Sequence, residues 1–108
     1  MSGHQVETGY LLARVQLKYG AAERFNEIMS HLVPVLEQKG WRLHGAYRTT
    51  IGRLWEVWDI WEVPGASGIQ SVLGAALDDP EFAEWATMLP ECVEEEELRY
   101  LTALPYAS

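Results

Sequence analysis

An aspartate stands in the most aromatic part of this chain. Asp59 lies within the stretch Trp41–Val63, which holds four of the five tryptophans. A carboxylate on a buried strand loses its water, and this desolvation raises its pKa toward the range used in general acid or base catalysis. Asp59 is therefore our first candidate for proton transfer. The structural alternative is an ion pair with Arg14, Arg48 or Arg53.

Other side chains of this stretch have the same strand parity as Asp59. A regular hairpin centred on Ile51-Gly52 brings residues 47–49 close to residues 55–59. We therefore expect one pocket lined by Tyr47, Thr49, Asp59 and Trp61. In that pocket Tyr47 would stabilise an oxyanion or enolate, while the tryptophans Trp55 and Trp61 would hold an aromatic ring.

The first predicted strand carries two polar side chains, Arg14 and Gln16, on its mixed face. Because this strand is central in the expected sheet, a buried Arg14 either neutralises an acidic partner or binds a carboxylate or enolate of a ligand. We predict a catalytic set and a substrate-binding set. The first is Asp59, Tyr47 and Arg14, and the second is Trp55, Trp61, Thr49, Gln16 and His44.

The sequence predicts neither a metal site nor a cofactor. His4, His31 and His44 are dispersed, without ligand partners at the spacing of zinc or iron sites. The glycines show neither phosphate-loop nor dinucleotide-binding spacing. Cys92 is followed by the acidic run 94–97, whose charge disfavours a thiolate nucleophile. We therefore expect cofactor-independent chemistry.

Composition limits the partners and the compartment. Eight basic and sixteen acidic side chains give a net charge of −8, which repels nucleic acid and anionic lipid surfaces. No apolar run approaches the roughly 20 residues that span a bilayer, and the first residues lack the pattern of a secretory signal. A single cysteine suits a reducing compartment. These features predict a cytoplasmic protein that binds neither nucleic acid nor membranes.

Apolar periodicity predicts the order of the elements. Residues 10–18 alternate as a strand, and residues 21–39 have helical spacing, with a kink expected at Pro34 and an end at Gly40. Two strands occupy 41–63, and helices are predicted at 69–77 and, after Asp79-Pro80, up to Pro90. The acidic run is expected to be a solvated connector or last turn before a strand at 98–104. Residues 1–9 form a short tail and residues 10–108 a single domain.

This βαββαβ order is the split βαβ pattern of an α+β fold, a four-stranded antiparallel sheet with its helices on one face. The third strand is apolar on both parities, since Trp55, Val57 and Trp61 alternate with Leu54, Trp58 and Ile60. A sheet with two apolar faces needs a second sheet, and a homodimer supplies one. We therefore predict a homodimer in which two sheets pack against each other.

Four motifs in order resemble the NIPSNAP family. They are Leu43-x-Gly45-x-Tyr47-x-Thr49-x-x-Gly52, Glu56-Val57-x-Asp59-Ile60-Trp61, Asp79-Pro80 followed by an aromatic residue, and Leu104-Pro105-Tyr106-Ala107-Ser108. The resemblance covers nearly the whole chain from Tyr10. It implies a dimeric α+β barrel of the ferredoxin-like superfamily, with a pocket between sheet and helices or inside the barrel. The family usually has histidine where this chain has Asp59, so chemistry assigned to that histidine does not extend here.

The residues and the resemblance together predict a small homodimeric, cofactor-independent enzyme of monooxygenase, isomerase or cyclase type. Its substrate would be an apolar aromatic or polyketide-like carbonyl compound, and Asp59 would move the proton. The alternative is a non-catalytic small-molecule-binding or protein-interaction module of the same fold. An empty aromatic-lined cavity containing Asp59 favours the enzyme, whereas a filled core with Asp59 ion-paired at the surface favours the alternative.

Overall fold

The computed structural model describes residues 9–106. Its strands are β1 (Gly9–Leu17), β2 (Arg42–Arg48), β3 (Glu56–Val63) and β4 (Val93–Leu101). Its helices are α1 (Ala22–Gln38), α2 (Gly68–Leu77) and α3 (Pro80–Ala86), and one turn of 3-10 helix follows at Leu89–Glu91. The predicted tail at residues 1–9 lies outside the described residues except for Gly9, which begins β1.

The four strands form one antiparallel sheet in the order β2-β3-β1-β4. The predicted ferredoxin-like fold is confirmed, and β1 is a central strand as expected. The odd-numbered side chains of β1 are buried under the helices, as the alternation predicts. They pack against the apolar stripe of α1, which consists of Phe25, Ile28, Leu32 and Leu36. We call this side of the sheet the helix face and the other side the open face.

Helix ends follow the sequence signals. Gly40 has a positive φ of 118°, which costs glycine little, and the next amide, Trp41 N–H, donates to the Leu36 carbonyl at 3.1 Å. Asp79 caps α3, because its carboxylate accepts from the backbone N–H groups of Glu81 and Phe82 at 3.0 and 3.2 Å. Both predicted helix boundaries are confirmed.

The acidic run is where the prediction was wrong. Residues 94–97 belong to β4, which begins at Val93 and ends at Leu101 rather than running from 98 to 104. Glu95, Glu96 and Glu97 pair with Gln16, Val15 and Arg14 of β1. A row of glutamates is tolerated there because β4 is an edge strand and because Arg14 lies opposite two of them.

A β-bulge in β2 displaces its second half by one position. Leu43 pairs with Trp61, but the next paired residue is Gly45, opposite Ile60. Ala46 therefore lies beside Asp59, and Tyr47 lies beside Trp58. Since side chains alternate between faces, the extra residue transfers Tyr47 to the open face.

None of the helices within residues 9–106 combines the length and the apolar character needed to cross a membrane.

Candidate functional site

A cavity of about 570 Å³ lies between the helix face of the sheet and the helices. Its walls are almost entirely apolar, with side chains from all three helices and from β1, β3 and β4. Two aromatic rings in its wall, those of Trp41 and Trp61, pack against each other at a tilt with their centroids 5.5 Å apart. Trp41 reaches this place because Gly40 turns the chain back at the end of α1. A cavity lined in part by aromatic side chains is thus present.

Asp59 lies in the floor of this cavity. It is 5% exposed, and within residues 9–106 its carboxylate forms neither a hydrogen bond nor an ion pair. Its neighbours across the sheet are Ala13 on β1 and Ala46 on β2, which offer no polar side chain. Burial raises the pKa of Asp59 to about 6, and the negative charge of Glu96 adds to this rise. Asp59 is buried, as expected of a buried strand, but no ion pair joins it to Arg14, Arg48 or Arg53 among the described residues.

Glu96 is a second carboxylate at the same cavity. It pairs with Val15 on the far side of β1, so it shares the helix face with Asp59. Leu77 and Leu98 also line the cavity but are 55% and 54% exposed, which identifies a mouth between β4 and α2. Glu96 is exposed at this mouth, yet the partial burial of its carboxyl group raises its pKa.

A smaller cavity of about 230 Å³ meets Asp59 from the β2 side. Its polar lining comes from Asn26 on α1 and from Tyr47 and Arg48 on β2. Tyr47 borders this space only at the sheet edge. Its ring covers Gly45 on the open face, where an added Cβ would come within 2.6 Å of the ring.

Arg14 lies on the open face, away from Asp59. Its guanidinium pairs with Glu56 at 3.2 Å, with Glu97 at 3.5 Å and with Glu95. Its cross-strand neighbours are Trp58 and Glu97, both on the open face. Arg14 therefore neutralises acidic partners, which was one of its two expected roles. Within one chain its guanidinium cannot reach a ligand held by Asp59, because the two side chains lie on opposite faces of the sheet.

Thr49 joins the same open-face network. Its hydroxyl donates to the Glu56 carboxylate at 2.7 Å and accepts from the Trp58 indole N–H at 2.9 Å. Glu56 is 8% exposed, so Arg14 and Thr49 satisfy a carboxylate that would otherwise be costly to bury. This network stabilises the start of β3 and does not line the cavity.

The remaining predicted ligand contacts lie outside the cavity as well. Gln16 donates to the Leu54 carbonyl at 2.7 Å. His44, at the bulge, lies with its ring centroid 6.1 Å from that of Tyr10. Trp55 has a positive φ of 61° and packs against Tyr19 in the loop before β3. Within the described chain the expected single pocket is not formed, because the bulge and the strand alternation leave only Asp59 and Trp61 of the predicted set in the larger cavity.

Two residues of the site were missed in the sequence. Trp41 was counted only as part of the hairpin, although a tryptophan directly after a helix-ending glycine is placed at the end of that helix. Glu96 was hidden in the acidic run. Recognising residues 93–101 as one strand would have shown which face of the sheet the Glu96 side chain occupies. Gly45 within a strand was the available signal for the bulge that moved Tyr47.

Comparison with known proteins agrees with this fold. The NIPSNAP family model matches residues 10–108. A NIPSNAP family protein of unknown function from Agrobacterium tumefaciens strain C58 is 16% identical over 99% of this chain and 97% of that chain, with a TM-score of 0.83. An uncharacterized NIPSNAP-like domain protein from Burkholderia xenovorans is 18% identical over 95% of this chain and 90% of that chain, with a TM-score of 0.79.

A protein from Pseudomonas aeruginosa is also similar, with 14% identity over 94% of this chain and 99% of that chain and a TM-score of 0.70. No curated protein gave a match. At these identities the solved structures establish the fold alone, whereas the family model spans nearly the whole sequence. The chain belongs to the NIPSNAP family.

Proposed function

We propose that this protein binds an apolar aromatic or polyketide-like carbonyl compound in the larger cavity and that Asp59 accepts a proton from it without a cofactor. The observation that carries the proposal is the Asp59 carboxylate itself, which is buried and unpartnered among the described residues at the floor of an apolar cavity. A charge in such a place costs stability. A proton acceptor in a water-poor site is a function that accounts for this cost.

The chemistry suits a carbonyl substrate. A carbonyl group acidifies the C–H bonds beside it, and a carboxylate near them can remove a proton to give an enolate. The pKa of Asp59, raised to about 6 by burial, keeps the group ionised at neutral pH while making it a stronger base than an exposed aspartate. Trp61 and Trp41 offer flat apolar walls for an aromatic body. This combination supports proton abstraction of the isomerase, cyclase or monooxygenase type.

The proposal includes a homodimer that pairs the open faces of two sheets. Leu12, Trp58 and Ile60 lie on this face and are only half-buried in the single chain. Together with Tyr47 they form an apolar surface beside the Arg14 network, and a second sheet would cover both. We also propose that the protein acts in the cytoplasm, where Cys92 would remain a thiol.

The second candidate is a non-catalytic binding protein. One observation favours it: within residues 9–106 the larger cavity is lined by neither a cationic nor a hydroxyl side chain that would stabilise an enolate. Arg14 and Tyr47, expected in that role, have their charged and phenolic groups on the open face. If the protein is not an enzyme, we expect this cavity to bind its ligand without converting it.

One experiment separates the two candidates. Small molecules that copurify with the protein are identified by mass spectrometry, and the compound found is then tested with wild type, Asp59→Asn and Glu62→Gln. Glu62→Gln is the matched control because it removes a carboxylate from the open face of the same strand. The enzyme proposal expects Asp59→Asn to bind the compound but to lose turnover or proton exchange. Binding without turnover or exchange in wild type supports the binding protein, and absence of any cavity ligand contradicts both.

A further inference from the structure

Two carboxylates face the larger cavity without a counter-charge between them. Asp59 on β3 and Glu96 on β4 flank the central strand β1 and line the same space. Within the described chain neither forms an ion pair. The charge of Glu96 adds to the burial that makes Asp59 harder to ionise, because like charges repel more strongly where water is scarce. The ionised form of Asp59 is therefore unfavourable when no positive charge lies beside it.

The surrounding elements do not supply a cation. As far as residues 9–106 extend, α1, α2 and α3 contribute only apolar side chains to the larger cavity. On the sheet, Arg14 is engaged by glutamates on the opposite face. Arg48 borders only the smaller cavity that also touches Asp59, and its side chain forms no ion pair with that carboxylate. The residues described by the structure thus leave the negative charge in the cavity uncompensated.

A positively charged ligand would reverse the energetics of this pair. An ammonium group near both carboxylates is attracted by each, and the attraction is strong because the cavity is apolar. The rings of Trp41, Trp61 and Phe25 line the same cavity and can present their faces to a cation. A ligand carboxylate or phosphate would instead add a further negative charge and would be repelled.

We propose that the cavity selects a hydrophobic amine, an apolar or aromatic body with a protonated nitrogen that is bound by Asp59 and Glu96. The inference rests on the proposed function because it concerns the same cavity, and it adds the charge of the ligand. A carbonyl substrate would then also carry an amine. Glu96, at the mouth, would meet the amine first, and Asp59, deeper in the cavity, would then help to hold the protonated nitrogen.

Three probes of similar size test the inference: naphthylmethylamine, naphthylmethanol and naphthoic acid, each titrated calorimetrically into the protein at neutral pH. Wild type is expected to bind the amine at least about tenfold more tightly than the alcohol and to bind the acid most weakly. Glu96→Gln and Asp59→Asn should each lower the affinity for the amine and leave that for the alcohol unchanged. Glu62→Gln, on the open face, should leave both unchanged.

The outcomes separate this inference from the proposed function. Equal binding of amine and alcohol by wild type overturns the inference while supporting an apolar ligand site. Binding of none of the probes contradicts both. An amine preference that survives Glu96→Gln overturns the role of the carboxylate pair. As a second readout, the preference should decrease from about pH 8 to about pH 5, because the carboxylates take up protons, and a constant preference would contradict the proposal.

Discussion

Arg14 and Asp59 lie on opposite faces of the same sheet, although the residue before Arg14, Ala13, is the direct cross-strand partner of Asp59. Arg14 is surrounded by three glutamates, whereas the Asp59 carboxylate has no partner among the described residues. The cation and the anion therefore occupy separate environments. One is electrostatically satisfied and the other is not, so their substitution should affect the protein in opposite directions.

Asp59→Asn should be more stable than wild type at high pH, and its advantage over wild type should grow as the pH rises. The pKa of Asp59 is raised from 3.8 to about 6 by folding, so the native state holds the proton more tightly than the unfolded state does. The protonated carboxyl group thus favours the native state below pH 3.8, and this contribution is lost as the pH rises through about 6. At higher pH the ionised side chain costs up to about 3 kcal/mol, which the amide does not incur.

Thermal melts at about pH 4 and about pH 8 check this prediction. The melting temperature of Asp59→Asn relative to wild type should increase between the two conditions by several degrees for a domain of this size. Glu62→Gln is the control from the open face of the same strand. A relative melting temperature that falls toward high pH would show that Asp59 is ion-paired after all.

Arg14→Gln should destabilise the protein by about 3 kcal/mol, because it leaves the buried Glu56 carboxylate without its cation. Arg99 provides the comparison, since it pairs with Glu97 at 3.5 Å in an exposed position. Arg99→Gln should cost less than about 1 kcal/mol. Urea denaturation measures both values, and equal losses would mean that the Arg14 network is no more important than a surface ion pair.

Light scattering should report a particle of about twice the 12.2 kDa chain mass, because the open face presents apolar side chains that a second sheet can cover. Ile60→Lys places a charge in the middle of that face and should yield monomers. Ile51→Lys changes the same residue type at the hairpin tip, where the side chain is 96% exposed, and should leave the dimer intact. A monodisperse wild-type monomer would contradict the barrel.

Asp79→Ala should lower stability by about 1 kcal/mol, because the cap of α3 loses its acceptor for two backbone N–H groups. The loss should also weaken ligand binding, since α3 carries Phe82 into the cavity wall. Asp78→Ala changes the exposed neighbour and is expected to affect neither property. Urea denaturation together with probe titration distinguishes the two variants, and similar behaviour would contradict the role of the cap.

The sequence was sufficient for the fold because its signals are local. Gly40 and Asp79 mark helix ends by backbone chemistry that needs no tertiary context, and the alternation in β1 reflects one buried face. Asp59 could be recognised for a similar reason, as a carboxylate among tryptophans. Its environment was predictable from composition, while the identity of its neighbours was not.

The placement of Tyr47 and Glu96 needed information that is not local. Tyr47 depends on a bulge several residues away, and one displaced position reverses the face of every later side chain in the strand. Glu96 depends on a strand that runs through a row of like charges, a composition that ordinarily disfavours strands. In both cases the pairing partner decided the outcome, and strand pairing is a tertiary property.

The bulge at His44 also governs how the length of β2 can change. His44 is the extra residue, because Leu43 and Gly45 pair with consecutive residues of β3. Loss of its single codon would make the pairing regular while leaving Ala46 beside Asp59 and Tyr47 beside Trp58 on the open face. The strand can therefore shorten by one residue at this point without altering the ligand site or the proposed dimer surface.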